Sequence, residues 1–236
     1  MTYSGKKGHT MNITVYLGAS RGKDPSYETY ASVLGAWIAD HGHTLIYGGS
    51  RTGLMGALSS GALQKGGSVI GVEPQEFIDT ALQQEGLTEL IVTPDMASRK
   101  AKMMELGDIF LAFPGGFGTL EEISQVMSEV KLGHLKGRFA FLDFNGYYQP
   151  MKQFLEAMRD QGFVDAKWVK EAAFLPSFAA LSAFVAGRTC QSRAKRGVTL
   201  SRSDTVSSAL PTMPQRRKRM SSIRPYTANT ATSSVP

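Results

Sequence analysis

Short apolar runs rich in β-branched residues alternate along this chain with longer stretches in which apolar positions recur every three or four residues. Asn12–Gly18, His43–Tyr47, Ser68–Val72, Glu89–Val92, Asp108–Phe113 and Arg138–Phe144 read as strands. Helical spacing covers Tyr27–His41, Gly53–Lys65, Ala97–Leu106, Thr119–Leu132, Tyr147–Gln161 and Phe178–Ala186, and glycines close several of these segments. Strands alternating with helices of this length predict βαβ units. The expected fold is α/β, a Rossmann-like three-layer sandwich with a mainly parallel sheet covered on both faces. Near-continuous apolar strands such as Ile109–Phe113 fit burial on both sides.

Outside residues 12–187 the pattern stops. Residues 1–11 and 188–236 carry almost no apolar periodicity and are expected to be disordered ends around one domain. The charge is divided in the same way. The chain of 236 residues has a formal net charge of +6, but residues 188–236 hold ten Lys/Arg against Asp204 alone, or +9, which leaves −3 for the rest. The basic excess is therefore not on a folded face, and nucleic acid is not the expected partner of the domain. The run Arg216–Arg219 reads as part of a solvated tail. A lone cysteine, Cys190, excludes a disulfide framework and suits a reducing, cytoplasmic setting. No apolar run reaches the roughly 20 residues of a membrane span, and the polar start lacks the apolar centre of a secretory signal.

Chemistry is expected beyond the carboxyl ends of the strands, where loops and helix N-termini converge. Three strand ends are rich in glycine and small polar residues: Gly18–Arg21, Gly48–Gly53 and Pro114–Thr119. The last two open directly into helices, whose N-terminal N–H groups and dipole suit a phosphate. The loops lack a full G-x-G-x-x-G with its acidic partner, and no Gly-Lys-Ser/Thr follows, so a mononucleotide or sugar phosphate fits better than a dinucleotide or a Walker site. Ser98-Arg99-Lys100-Ala101-Lys102 puts three cations at a helix start, against the dipole, which implies a nearby anion, while Lys102 at least reads as part of a solvated basic face. Met103 and Met104 read as core or as an apolar wall for a base. Thr119 and Glu122 have the spacing of a capping box. Glu122 is equally a carboxylate aimed into the phosphate cleft, while Glu121 reads as an exposed helix carboxylate. His41 and His43 lack the company a metal site needs and suit helix C-terminal carbonyls. Cys190 has no sequence partner for catalysis, and no G-x-S-x-G elbow occurs.

Pro114-Gly115-Gly116-Phe117-Gly118-Thr119-Leu120-Glu121-Glu122 resembles the P-G-G-x-G-T-x-x-E signature of the Lonely guy family. Its members are cytokinin riboside 5′-monophosphate phosphoribohydrolases, often described as lysine decarboxylases. Tyr47-Gly48-Gly49, Gly53-Leu54-Met55-Gly56 and Met96 through Met103 extend the resemblance over residues 12–187. It implies a Rossmann-like, usually dimeric protein that hydrolyses the N-glycosidic bond of a nucleoside 5′-monophosphate without metal or redox cofactor. Arg99 and Glu122 then match the catalytic pair, and Gly115, Gly116, Gly118 and Thr119 the phosphate loop. Ser20, Gly48 and Gly49 match further nucleotide contacts, and Lys100 joins them as a candidate substrate contact. Ala97-Ser98 stands where the family often has His-Glu or His-Thr, and Ser50-Arg51-Thr52 replaces a more glycine-rich turn; both bear on substrate preference. The alternatives are an AMP nucleosidase or broader nucleotide glycosidase and, from another class, a nucleotide or molybdenum-cofactor carrier on the same fold. A lysine decarboxylase would need a lysine holding pyridoxal phosphate, for which the sequence gives no basis.

Overall fold

The computed structural model describes residues 10–78 and 82–187. The expected disordered tail over 188–236, with Arg216–Arg219 and Cys190, lies outside the described residues, as do residues 1–9. Met11 is tied in: its carbonyl accepts from Thr44 N–H at 2.9 Å and its own N–H donates to His43 Nδ1 at 3.3 Å.

Seven strands form one sheet: β1 (Asn12–Tyr16), β2 (Thr44–Tyr47), β3 (Ser68–Pro74), β4 (Glu89–Thr93), β5 (Ile109–Ala112), β6 (Arg138–Leu142) and β7 (Ala173–Leu175). Every adjacent pair is parallel, in the order β4-β3-β2-β1-β5-β6-β7. The helices between them are α1 (Ser26–Asp40), α2 (Gly53–Gln64), the short α3 (Gln75–Ile78), α4 (Met96–Leu106), α5 (Phe117–Leu132), α6 (Gln149–Asp160), α7 (Ala166–Glu171) and α8 (Phe178–Val185). The sequence pattern does not reveal α3, α7 or β7, because four-, six- and three-residue elements span less than two periods of the signal.

Alternation along each strand sorts side chains onto two faces. Ile13, Val15 and Leu17 of the β1 segment, with Ile109, Leu111 and Phe113, pack with α1, α2 and α8. Tyr16, Phe110, Ala112 and Phe141 pack on the other face with α4, α5 and α6. A sheet buried on both faces explains why DIFLAF shows no polar alternation. Among the described residues, no helix is long and apolar enough to cross a membrane.

The chain runs outward from β1 through β2, β3 and β4, then crosses back to β5 and runs the other way. The carboxyl ends of β1 and β5 therefore flank the point where the strand order reverses, and a crevice opens between their loops. Gly18 N–H donates to the Pro114 carbonyl across it at 3.2 Å.

Helices α1 and α2 lie against each other on one face, and their approach is set by glycine. A Cβ on Gly35 would stand 1.9 Å from the Leu58 carbonyl oxygen, and one on Gly61 would stand 2.1 Å from that of Ser32. Gly35→Ala should therefore force the helices apart and cost about 1–3 kcal/mol, read as a lowered midpoint in denaturant unfolding. An unchanged midpoint would mean the two helices slide freely.

Candidate nucleotide-binding site

The strand ends build a cavity of about 530 Å³, and each contributes differently. Leu17 to Ser20 come from the loop after β1, Gly48 and Ser50 from the loop after β2, Glu73 from β3, and Gly116, Gly118 and Thr119 from the start of α5. Arg99 reaches in from α4 and Glu122 from the second turn of α5. Met55, Phe77, Leu82 and Met96 supply apolar wall.

The centre is an ion pair. Arg99 donates from Nη1 to Glu122 Oε1 at 3.0 Å and from Nε to the Val72 carbonyl at 3.0 Å. Both residues are buried, at 9% and 8% exposure. Gly48 makes room for the guanidinium: a Cβ there would lie 2.1 Å from Nη2. Burial pushes the Glu122 carboxyl above its ordinary range, and the Arg99 charge draws it back. Gly49 takes the left-handed conformation at φ 84°, which lets its carbonyl turn to accept from Tyr47 Oη at 2.9 Å.

Helix α5 begins at Phe117 with Gly116 as its N-cap residue, two residues earlier than its sequence pattern suggests. That shift removes the capping-box reading. Thr119 is inside the first turn, packed on Gly115, and Glu122 turns to Arg99 instead of closing its own helix. The first-turn N–H groups of α5 have no carbonyl one turn back and lie beside the cavity. The loop before them is held from behind, as Tyr147 Oη donates to the Gly115 carbonyl and Tyr148 Oη to that of Phe113, the latter at 2.8 Å. Such a loop presents donors to the cavity while its carbonyls are engaged elsewhere.

The basic run at the start of α4 finds its anions within the chain. Arg99 meets Glu122, Lys100 donates to Glu121, and Lys102 donates to Glu105 at 3.0 Å. The helix start is stabilised by Asp95, which accepts from Ser98 N–H at 2.7 Å, an N-cap the sequence reading passes over. Lys100 is thus engaged by Glu121 and is not part of the cavity wall; Gly49 and Gly115 stand just behind that wall. Ser20, Gly48, Gly116, Gly118, Thr119, Arg99 and Glu122 all line it, together with Glu121. Met103 and Met104 are core, and Met55 and Met96 serve as apolar wall. His41 donates from Nδ1 to the Trp37 carbonyl at 2.7 Å, the helix-end contact expected of it.

Glu73 is the residue that sequence reasoning misses. The signal was present: a carboxylate at the carboxyl end of an otherwise apolar strand, SVIGVEP, where this fold binds ligands. Burial raises its carboxyl above the ordinary range, opposed by Gln83 and the Arg99 charge.

Known proteins resemble this chain at both levels. Residues 55–183 match the family described as possible lysine decarboxylase. A cytokinin riboside 5′-monophosphate phosphoribohydrolase from Rhodococcoides fascians is 43% identical over 156 residues, covering 65% of this chain and 78% of that protein. One from Arabidopsis thaliana is 36% identical over 158 residues, covering 67% and 73%. Among solved structures, the molybdenum cofactor carrier protein of Chlamydomonas reinhardtii superposes with a TM-score of 0.59 at 22% identity, over 76% of this chain and 98% of that one. The molybdenum cofactor binding protein of Rippkaea orientalis gives 0.58 at 21%, over 76% and 97%. At that identity the likeness extends to the fold alone.

The raised carboxyl of Glu73 has a consequence for stability. A folded-state value above the unfolded one means that folding favours the protonated form. Stability is then highest below the unfolded carboxyl range and falls as pH rises through the folded value. Glu73→Gln should melt higher than the parent at pH 7, with the gain shrinking toward pH 4. A gain independent of pH would contradict this assignment of the burial cost.

Proposed function

We propose that this chain, which belongs to the Lonely guy family of phosphoribohydrolases, hydrolyses the N-glycosidic bond of cytokinin riboside 5′-monophosphates, releasing the free base and ribose 5-phosphate. The observation that carries the reading is the buried Arg99–Glu122 pair in a cavity that also takes in the N-terminus of α5.

The phosphate is assigned to the first-turn N–H groups around Gly116, Gly118 and Thr119, where donors and the helix dipole suit an anion. Gly115 and Tyr147 keep that turn in shape, and Gly48 and Ser20 border the ribose and base, with Gly49 behind them. With the phosphate anchored, C1′ lies toward Glu122. The bond from C1′ to the base nitrogen breaks with positive charge growing on the sugar and its electron pair leaving with the base. The Glu122 carboxylate stabilises that cation and takes the proton of the attacking water. Arg99 holds Glu122 in place and balances its charge when no substrate is present. Binding energy from the remote phosphate goes into positioning.

The family description names a lysine decarboxylase, an activity that needs a lysine to carry pyridoxal phosphate. The cavity lining contains no lysine among the described residues, so these residues do not fit that group. A carrier role needs no Arg–Glu pair. The resemblance also supports a homodimer, which sedimentation at several concentrations tests, and the single cysteine suits the cytoplasm.

Incubation with isopentenyladenosine monophosphate, AMP and the unphosphorylated riboside should release base from phosphorylated compounds only, followed by chromatography. Release from none of them supports a carrier. Glu122→Gln should lower kcat by about 10²–10⁴-fold while nucleotide still binds; parental turnover would remove Glu122 from the mechanism.

A further inference from the structure

Among the described residues, Glu73 Oε2 is the one buried side-chain oxygen or nitrogen without a hydrogen-bond partner. The residue is 3% exposed and belongs to the cavity wall. A carboxylate oxygen left unpaired away from water costs free energy, and such atoms persist where something outside the chain satisfies them. Gly49 lies against this side chain, since a Cβ there would stand 3.2 Å from Glu73 Cβ and 3.3 Å from Oε2. The carboxylate is therefore packed against main chain at Gly49, in a residue that lines the cavity.

Its position along the sheet defines what it can meet. Strand β3 is three places from β5 in the sheet order. At about 4.8 Å per place, Glu73 stands about 14 Å from the α5 turn, on the order of the reach from a nucleotide's phosphate to the far edge of its base. Arg99 lies between, joined to Val72 next to Glu73 on one side and to Glu122 on the other. Around the Glu73 end, Phe77, Leu82 and Met96 are 44%, 40% and 38% exposed, an apolar rim beside a buried acceptor.

We propose that Glu73 reads the base: its Oε2 accepts the hydrogen bond of the N–H on the purine 6-position, so the cavity takes 6-aminopurine nucleotides in preference to 6-oxo or 6-alkoxy ones. This deepens the nucleotide reading above and rests on it. An N6-monosubstituted adenine keeps one N–H for Glu73 and sends its substituent over the Phe77, Leu82 and Met96 rim. A 6-oxygen sets a second acceptor against the carboxylate, leaving both lone pairs facing without a proton, the mismatch that buried polar sites reject most strongly.

The decisive pair is N6-methyl-AMP and O6-methylinosine monophosphate, which differ only by N–H against O at the 6-position. Binding is measured by calorimetry in the Glu122→Gln protein, and base release in the parent. The N6 compound should bind at least about 10-fold more tightly, and Glu73→Leu introduced alongside should bring the ratio near one. A purely structural Glu73 would weaken both compounds equally and leave the ratio unchanged. Equal binding of the two nucleotides before any change at Glu73 overturns the inference, and decides it even if the variant fails to fold. A 10-fold ratio without base release from either compound in the parent would leave Glu73 as the base contact and overturn the hydrolase reading instead.

Discussion

The structure turns on one buried guanidinium. Arg99 joins α4 to the Val72 carbonyl of β3 and to Glu122 of α5, against the backbone of Gly48 just after β2. Two charges out of water are tolerated only when each has its partner, and losing one member of such a pair typically costs about 3–5 kcal/mol. The pair is therefore a weak source of net stability but a strong constraint on geometry. It fixes the second turn of α5, and with it the first turn whose N–H groups face the cavity. The absence of a side chain at Gly48 is part of the same constraint, because an added methyl would occupy the space of the guanidinium.

Much of this was legible in the residues. The alternation of apolar runs with helical spacing gave the parallel sheet and its two covered faces, and six of the seven strands lie where the pattern put them. Arg99, Glu122 and the glycines after β5 stood out because a specific motif carries them. Local spacing was ambiguous at Glu122, since Thr119 and Glu122 satisfy the capping-box interval whatever the helix start. Only the helix start at Phe117 and the tertiary contact with Arg99, 23 residues away, remove the capping role. The basic run of α4 pointed to an anion near Arg99 and Lys100 and to a solvated Lys102; the sequence does not say that Glu122 and Glu121 meet the first two, or that Glu105 pairs with Lys102.

Glu73 and the tyrosines behind the loop were missed for a different reason. Tyr147 and Tyr148 act through hydroxyls on carbonyls more than 30 residues away in sequence, and no periodicity encodes that distance. Glu73 sits in a strand whose other residues are apolar, and a single charge at a strand end resembles a surface residue until the burial of that end is known. Its depth, beside Gly49, makes it part of the cavity and not of the rim.

The reversal of strand order between β1 and β5 has one more consequence. Because the cavity draws a residue from each of several βα units, its two ends have separate addresses in the chain. On the proposed reading, changes at Glu73, Phe77 and Leu82 would retune which base the pocket takes and leave the turn after β5 untouched. One scaffold can in this way diversify its choice of base without reinventing the bond it cuts.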